Sequence, residues 1–151
     1  MGLFDALDTA ASALTANRTW LDVVSGNLAN ANTTRSTNGG PYVRRQVVLE
    51  ERGPQNAPGV GGMATFGEFQ QAAMARGVEV SGIQEDTATP MRRVYEPGHP
   101  DADAAGYVTY PNVNPVTEMV DLIAASRAYE ANTTSLNAIK TEFMRALDVL
   151  R

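Results

Sequence analysis

The chain has 151 residues, of which 43% are hydrophobic, enough for one domain with a core of ordinary proportions. Its formal net charge of −5 comes from 12 basic and 17 acidic residues, and the basic ones cluster no further than the pairs Arg44-Arg45 and Arg92-Arg93, which excludes a nucleic-acid footprint. Without cysteine there is no disulfide framework, thiol nucleophile or thiolate metal site.

The first predicted element is a helix. Leu3, Leu7, Ala10, Leu14, Asn17, Leu21, Val24 and Leu28 recur at alternating steps of four and three, the spacing of a heptad stripe, while Asp5, Asp8, Arg18 and Asp22 lie off it. Neither Pro nor Gly interrupts from Leu3 to Ser25, so one helix of about 40 Å follows from the 1.5 Å rise per residue. Asp5 and Asp8 occupy the region where a secretory signal carries positive charge, so no cleaved signal peptide is expected. No uncharged apolar run approaches the roughly 20 residues needed to cross a bilayer.

The middle of the chain is punctuated by Gly and Pro and reads as short strands and loops. Alternation at Val43, Arg45, Val47 and Leu49 predicts one strand, and Val78, Val80 and Ile83 predict a second. Met91 to Tyr95 and Tyr107 to Tyr110 are two further candidates. Between Gly53 and Gly67 the glycines have no phosphate-binding spacing and read as a flexible linker.

A second long helix closes the chain. Leu122, Ala125, Tyr129, Asn132, Leu136, Ile139, Phe143, Ala146 and Leu150 form another charge-free stripe at steps of three and four. Asn114 is placed as its N-cap and Pro115 at its first position, with Glu118 and Asp121 stabilised by the positive end of the helix dipole. Two such stripes can bury one another in an antiparallel, coiled-coil-like pair. Such pairing brings the two polar breaks, Asn17 and Asn132, to about the same level, where a buried Asn would fix register. The apolar surface is wider than one seam, since Trp20, Val23, Met119, Val120 and Ile123 flank the stripes, so further partners are implied.

Sites for chemistry are sparse. His99 is the only histidine and sits between Gly98 and Pro100 in a turn, with no base or thiolate partner. Asp101 and Asp103 fall short of a calcium-binding loop and read as a solvated turn. Asn27, Asn30 and Asn32 are read as helix-terminating residues that cap backbone groups or adopt the left-handed conformation. No catalytic residue, metal ligand or cofactor site is expected.

The run from Ser25 to Thr34, containing Asn27, Asn30, Asn32 and Thr33, resembles the Asn-rich motif that ends the first helix in flagellar axial proteins of rod, hook and junction type. Gly39-Gly40-Pro41-Tyr42, the word around Gly98-His99-Pro100, and Pro111-Asn112-Val113-Asn114 narrow the resemblance to proximal-rod proteins of the bacterial flagellum. Two departures are Glu96, where that family's pattern has Asp, and a longer stretch from Arg52 to Gly67.

The resemblance implies a mainly α fold with a small β-rich middle. Residues 1–32 plus 114–151 would make a helical inner-tube domain, and residues 33–113 a strand and loop segment outside it. It also implies a structural subunit, not an enzyme, exported through the flagellar type III channel without a cleaved signal and stacked helically in a rod crossing the periplasm. The implied partners are proximal and distal rod proteins, the rod-base adaptor and inner-membrane ring, and copies of the chain. The stripe residues Leu3, Leu7, Leu14, Leu21, Val24, Leu28, Leu122, Tyr129, Leu136, Ile139, Phe143 and Leu150 would be the assembly seam. The alternative is a soluble helical-hairpin adaptor or export-associated protein.

Overall fold

The computed structural model describes residues 3–37, 39–52 and 77–149. The element order is α1 (Leu3–Ala29), β1 (Arg45–Glu51), β2 (Val78–Glu85), β3 (Arg92–Tyr95), β4 (Tyr107–Tyr110) and α2 (Pro115–Val149). The architecture is therefore two long helices with a small antiparallel strand region between them in sequence. The linker expected between Gly53 and Gly67 lies outside the described residues.

Helix α2 begins where its sequence signals place it. Asn114 caps α2, its Oδ1 accepting from Val116 N at 3.0 Å and its carbonyl from Glu118 N at 3.0 Å. Pro115 follows at the first helical position, where a missing N–H leaves nothing unsatisfied. At the end of α1, Asn30 Nδ2 donates to Gly26 O at 2.9 Å and Thr33 Oγ1 donates to Asn30 Oδ1 at 3.1 Å. Asn30 thus caps as expected, but no non-glycine residue among those described has a positive φ, so the left-handed role foreseen for the asparagines is not used.

The strands make two separate two-stranded sheets. In the first, β1 pairs antiparallel with β2, Arg45 opposite Glu85 and Val47 opposite Ile83. Val48 faces Gly82 while Leu49 faces Val80, which leaves Ser81 as the extra residue of a bulge. In the second sheet, β3 pairs antiparallel with β4, with Val94 opposite a fully buried Val108.

Helix α1 packs against α2 on one side and against the β1–β2 sheet on another. Gly77, just before β2, permits the second contact. Its φ is +101°, and a Cβ there would collide with Ser12 Oγ, so only glycine lets the chain come this close to α1. Val78 N then donates to Ser12 Oγ at 3.2 Å, joining the sheet to the helix.

Having two neighbours changes which residues of α1 are covered. The buried line is Ser12, Ala16, Val24 and Asn27, of which only Val24 belongs to the expected stripe. Leu7, Leu14, Leu21 and Leu28 are half-buried. A residue between α2 and the sheet loses water on both sides, whereas a stripe residue facing one neighbour stays partly wet.

Candidate assembly surface

At the junction of α1, β1 and α2 lies a buried polar node. Asn27, 1% exposed, uses its whole side-chain amide. Oδ1 accepts from Tyr42 OH at 2.9 Å and from Arg45 N at 2.9 Å, and Nδ2 donates to Arg45 O at 2.8 Å and to Glu118 Oε2 at 3.0 Å. The other carboxylate oxygen of Glu118 accepts from Arg44 Nε at 2.6 Å, and Arg44 also reaches Asp121 Oδ2 at 3.4 Å.

The node extends into the word Pro111-Asn112. Arg44 N donates to Asn112 Oδ1 at 2.8 Å, and Asn112 Nδ2 donates to Asp86 O at 2.7 Å and Thr89 O at 3.2 Å. Among the described residues no buried side-chain polar atom lacks a partner, so the network is fully satisfied. Burial raises the Tyr42 hydroxyl pKa above its ordinary value, with the Arg45 charge opposing the shift and the Glu118 and Glu85 charges adding to it.

Sequence reasoning assigned Glu118 to the helix dipole and Asn27 to helix termination. Glu118 does stand in the first turn of α2, and the geometry gives both residues a further role. Glu118 is 0% exposed and ion-paired, and Asn27 lies inside α1 as a bridge to β1 and α2. The available signal was the position of Asn27 off the apolar stripe and before the helix end, where a cap has no use.

The turn bearing Gly98, His99 and Pro100 lies beside the end of α1. His99 Nδ1 accepts from Asp101 N at 3.1 Å, a local turn bond that leaves no reactive pair. Asp101 is not the solvated turn residue expected from sequence. It accepts from Thr34 Oγ1 at 2.8 Å and pairs with Arg35 at 3.0 Å, fastening the turn to the segment after α1. Asn32 is exposed and Thr33 half-buried.

Along α2, Glu118 and Ala125 are buried, while Leu122, Asn132, Leu136, Ile139 and Phe143 are half-buried. Tyr129, expected in the core, is 38% exposed. Leu150 and the Leu3 side chain lie outside what is described. Another face is open: Val116 is 66% exposed, Val120 60% and Ile123 55%, with Met119 beside them.

No group of three or more His, Cys, Asp or Glu able to hold a metal ion occurs among the described residues, and no helix there is long and apolar enough to cross a membrane. Exposed apolar helix faces joined by a satisfied polar node suit assembly.

The class this architecture defines is that of the structural proteins of the flagellar rod. Residues 7–35 match the family model for flagella basal body rod protein, and residues 104–149 match that for the C-terminal part of flagellar basal body rod FlgEFG proteins. The chain is 43% identical to the flagellar basal-body rod protein FlgC of Borreliella burgdorferi, over 100% of this chain and 99% of the relative. It is 44% identical to FlgC of Bacillus subtilis over 99% of each chain, and 42% identical to FlgC of Escherichia coli over 97% of each. The chain belongs to the FlgC family of flagellar basal-body rod proteins, structural components and not enzymes.

Proposed function

We propose that this chain is a helically stacked subunit of the rod that crosses the periplasm, exported without a cleaved signal through the flagellar type III channel. Its terminal helices, residues 1–32 and 114–151, form an antiparallel, coiled-coil-like pair in the inner tube. Residues 33–113 lie outside that tube against neighbouring subunits. Its partners are other proximal and distal rod proteins, the rod-base adaptor and inner-membrane ring, and further copies of itself.

The observation that carries this reading is the open apolar face of α2. Val116, Val120 and Ile123, each more than half exposed, follow one another at steps of four and three, so they form an apolar stripe that the described residues leave open. Each side chain covered by a neighbour would contribute about 1.5 to 3 kcal/mol. In support of the antiparallel pair, the Asn27–Glu118 bond joins the last turns of α1 to the first turn of α2, and the two helices pack on one another.

Co-purification tests the proposal. Basal bodies isolated from cells carrying a tagged chain and washed in high salt should retain it, while the purified chain should sediment as a monomer. A stably folded chain that washes off intact basal bodies would indicate an adaptor instead.

A further inference from the structure

The helix pair proposed above needs a register, and its apolar contacts do not supply one. Most stripe residues of α1 are half-buried leucines, and the deepest apolar contacts of the two helices are Ala16, Val24 and Ala125, none of them with a polar group to leave unsatisfied. Leu-rich and Ala-rich faces slide past one another without leaving any group uniquely unsatisfied. Asn17 and Asn132, the polar breaks that the stripe pattern singled out, are both only half-buried, so displacement returns them to water at small cost.

Asn27 and Glu118 differ from these on every count. Both are almost or fully inaccessible to water, they bond to each other, and every hydrogen-bonding valence of the Asn27 amide is filled. Both oxygens of Glu118 are occupied, one by Asn27 and one by Arg44. Sliding α2 by one turn moves it about 5.4 Å, beyond the reach of any of these bonds. A buried carboxylate would then face apolar side chains, and the Arg44 guanidinium would lose its strongest partner. The same residues hold the entry to β1, because Arg45 meets Asn27 through both its backbone N–H and its carbonyl.

We infer that Asn27, Arg44 and Glu118 are a register lock: positioning residues that set α2 against α1 at one axial level and fix the β1–β2 sheet to the helix pair at that level. A subunit that repeats in a helical assembly must present each contact face at the same height, and the lock supplies that uniformity. The inference rests on the antiparallel helix pair of the proposed function.

The absence of native cysteine allows a clean distance measurement. Arg18→Cys and Lys140→Cys place spin labels on exposed positions of the two helices, at different heights along the pair. Pulsed electron paramagnetic resonance on the full-length chain should give one narrow distance. Asn27→Leu, and separately Glu118→Leu, should keep the helical circular dichroism but add a second distance displaced by up to about 5 Å, one turn. Glu118→Gln, which keeps one of the two acceptors that Asn27 and Arg44 use, should show less of the second distance than Glu118→Leu. Leu14→Ala should weaken packing without adding a second distance.

One unchanged distance in both leucine variants overturns the lock and leaves the helix pair standing. Loss of helix in those variants also overturns it, by showing a node that serves stability alone. No defined distance in the unmodified pair of labels, free or in assembled rods, overturns the helix pair and the lock together.

Discussion

Arg44 Nε lies 2.6 Å from Glu118 Oε1, joining residues 74 positions apart, and the carboxylate side has no exposed surface. This ion pair holds the segment entering β1 on the first turn of α2. Glu118→Ala leaves Arg44 and Asn27 without their partner and should cost about 3 kcal/mol, the lower end for a broken buried pair because Arg44 is 20% exposed. Glu118→Gln should cost about 2 kcal/mol, since the amide keeps one acceptor but leaves one donor of Arg44 or Asn27 unmatched. Urea unfolding measures both, and a Glu118→Ala midpoint equal to that of the unsubstituted chain would refute the structural role of the pair.

The half-buried stripe leucines give a second test. Leu14→Asp or Leu136→Asp puts a carboxylate into the contact between α1 and α2, at about 2 to 4 kcal/mol for a partly desolvated, unpaired charge. Each should abolish rod formation and motility. Swimming cells with normal basal bodies carrying either substitution would show that the stripes are not the assembly seam.

Beside the end of α1, the turn residues should separate in effect. His99→Ala removes one local turn bond and should leave motility intact, with under about 1 kcal/mol lost. Asp101→Ala removes the Thr34 and Arg35 contacts and should speed amide exchange across residues 30–36. Equal exchange in the two variants would show that Asp101 does not fasten the turn.

How much of this was legible in the sequence depends on how far apart the interacting residues lie. The two long helices and the start of α2 follow from stripes and caps that act within one turn, such as Asn114 with Val116. The strands follow from alternation, and Tyr107 to Tyr110 form β4 at the limits the pattern gives. The node was not legible, because Asn27 and Glu118 are 91 positions apart and each has an adequate local reading, as a helix end and as a dipole partner. Asp101 was misread in the same way, its partners Thr34 and Arg35 lying in another part of the chain. Tyr129 shows a further gap, since a stripe gives the period of a face but not how deeply each side chain on it is covered.

The hairpin between β3 and β4 carries a pH signature. Asp103 accepts from Tyr107 N, Ala105 N and Arg93, and these bonds, that to Tyr107 foremost, lower its pKa below the ordinary 3.8. A depressed folded pKa means the carboxylate stabilises the turn above the unfolded value, and that support is lost as pH falls through the folded one. The turn should therefore stay intact at pH 5 and loosen only below the ordinary carboxylate range. A carboxyl-carbon NMR titration checks this, and an Asp103 midpoint at or above 3.8 would contradict it.

The central claim is that the open face of α2 exists to be covered by neighbouring rod subunits. A map of the intact basal body with side chains resolved tests it most directly. Val116, Val120 and Ile123, each more than half exposed in the single chain, should be buried there against helices of adjacent subunits. The same three residues facing solvent or an open channel would contradict the account.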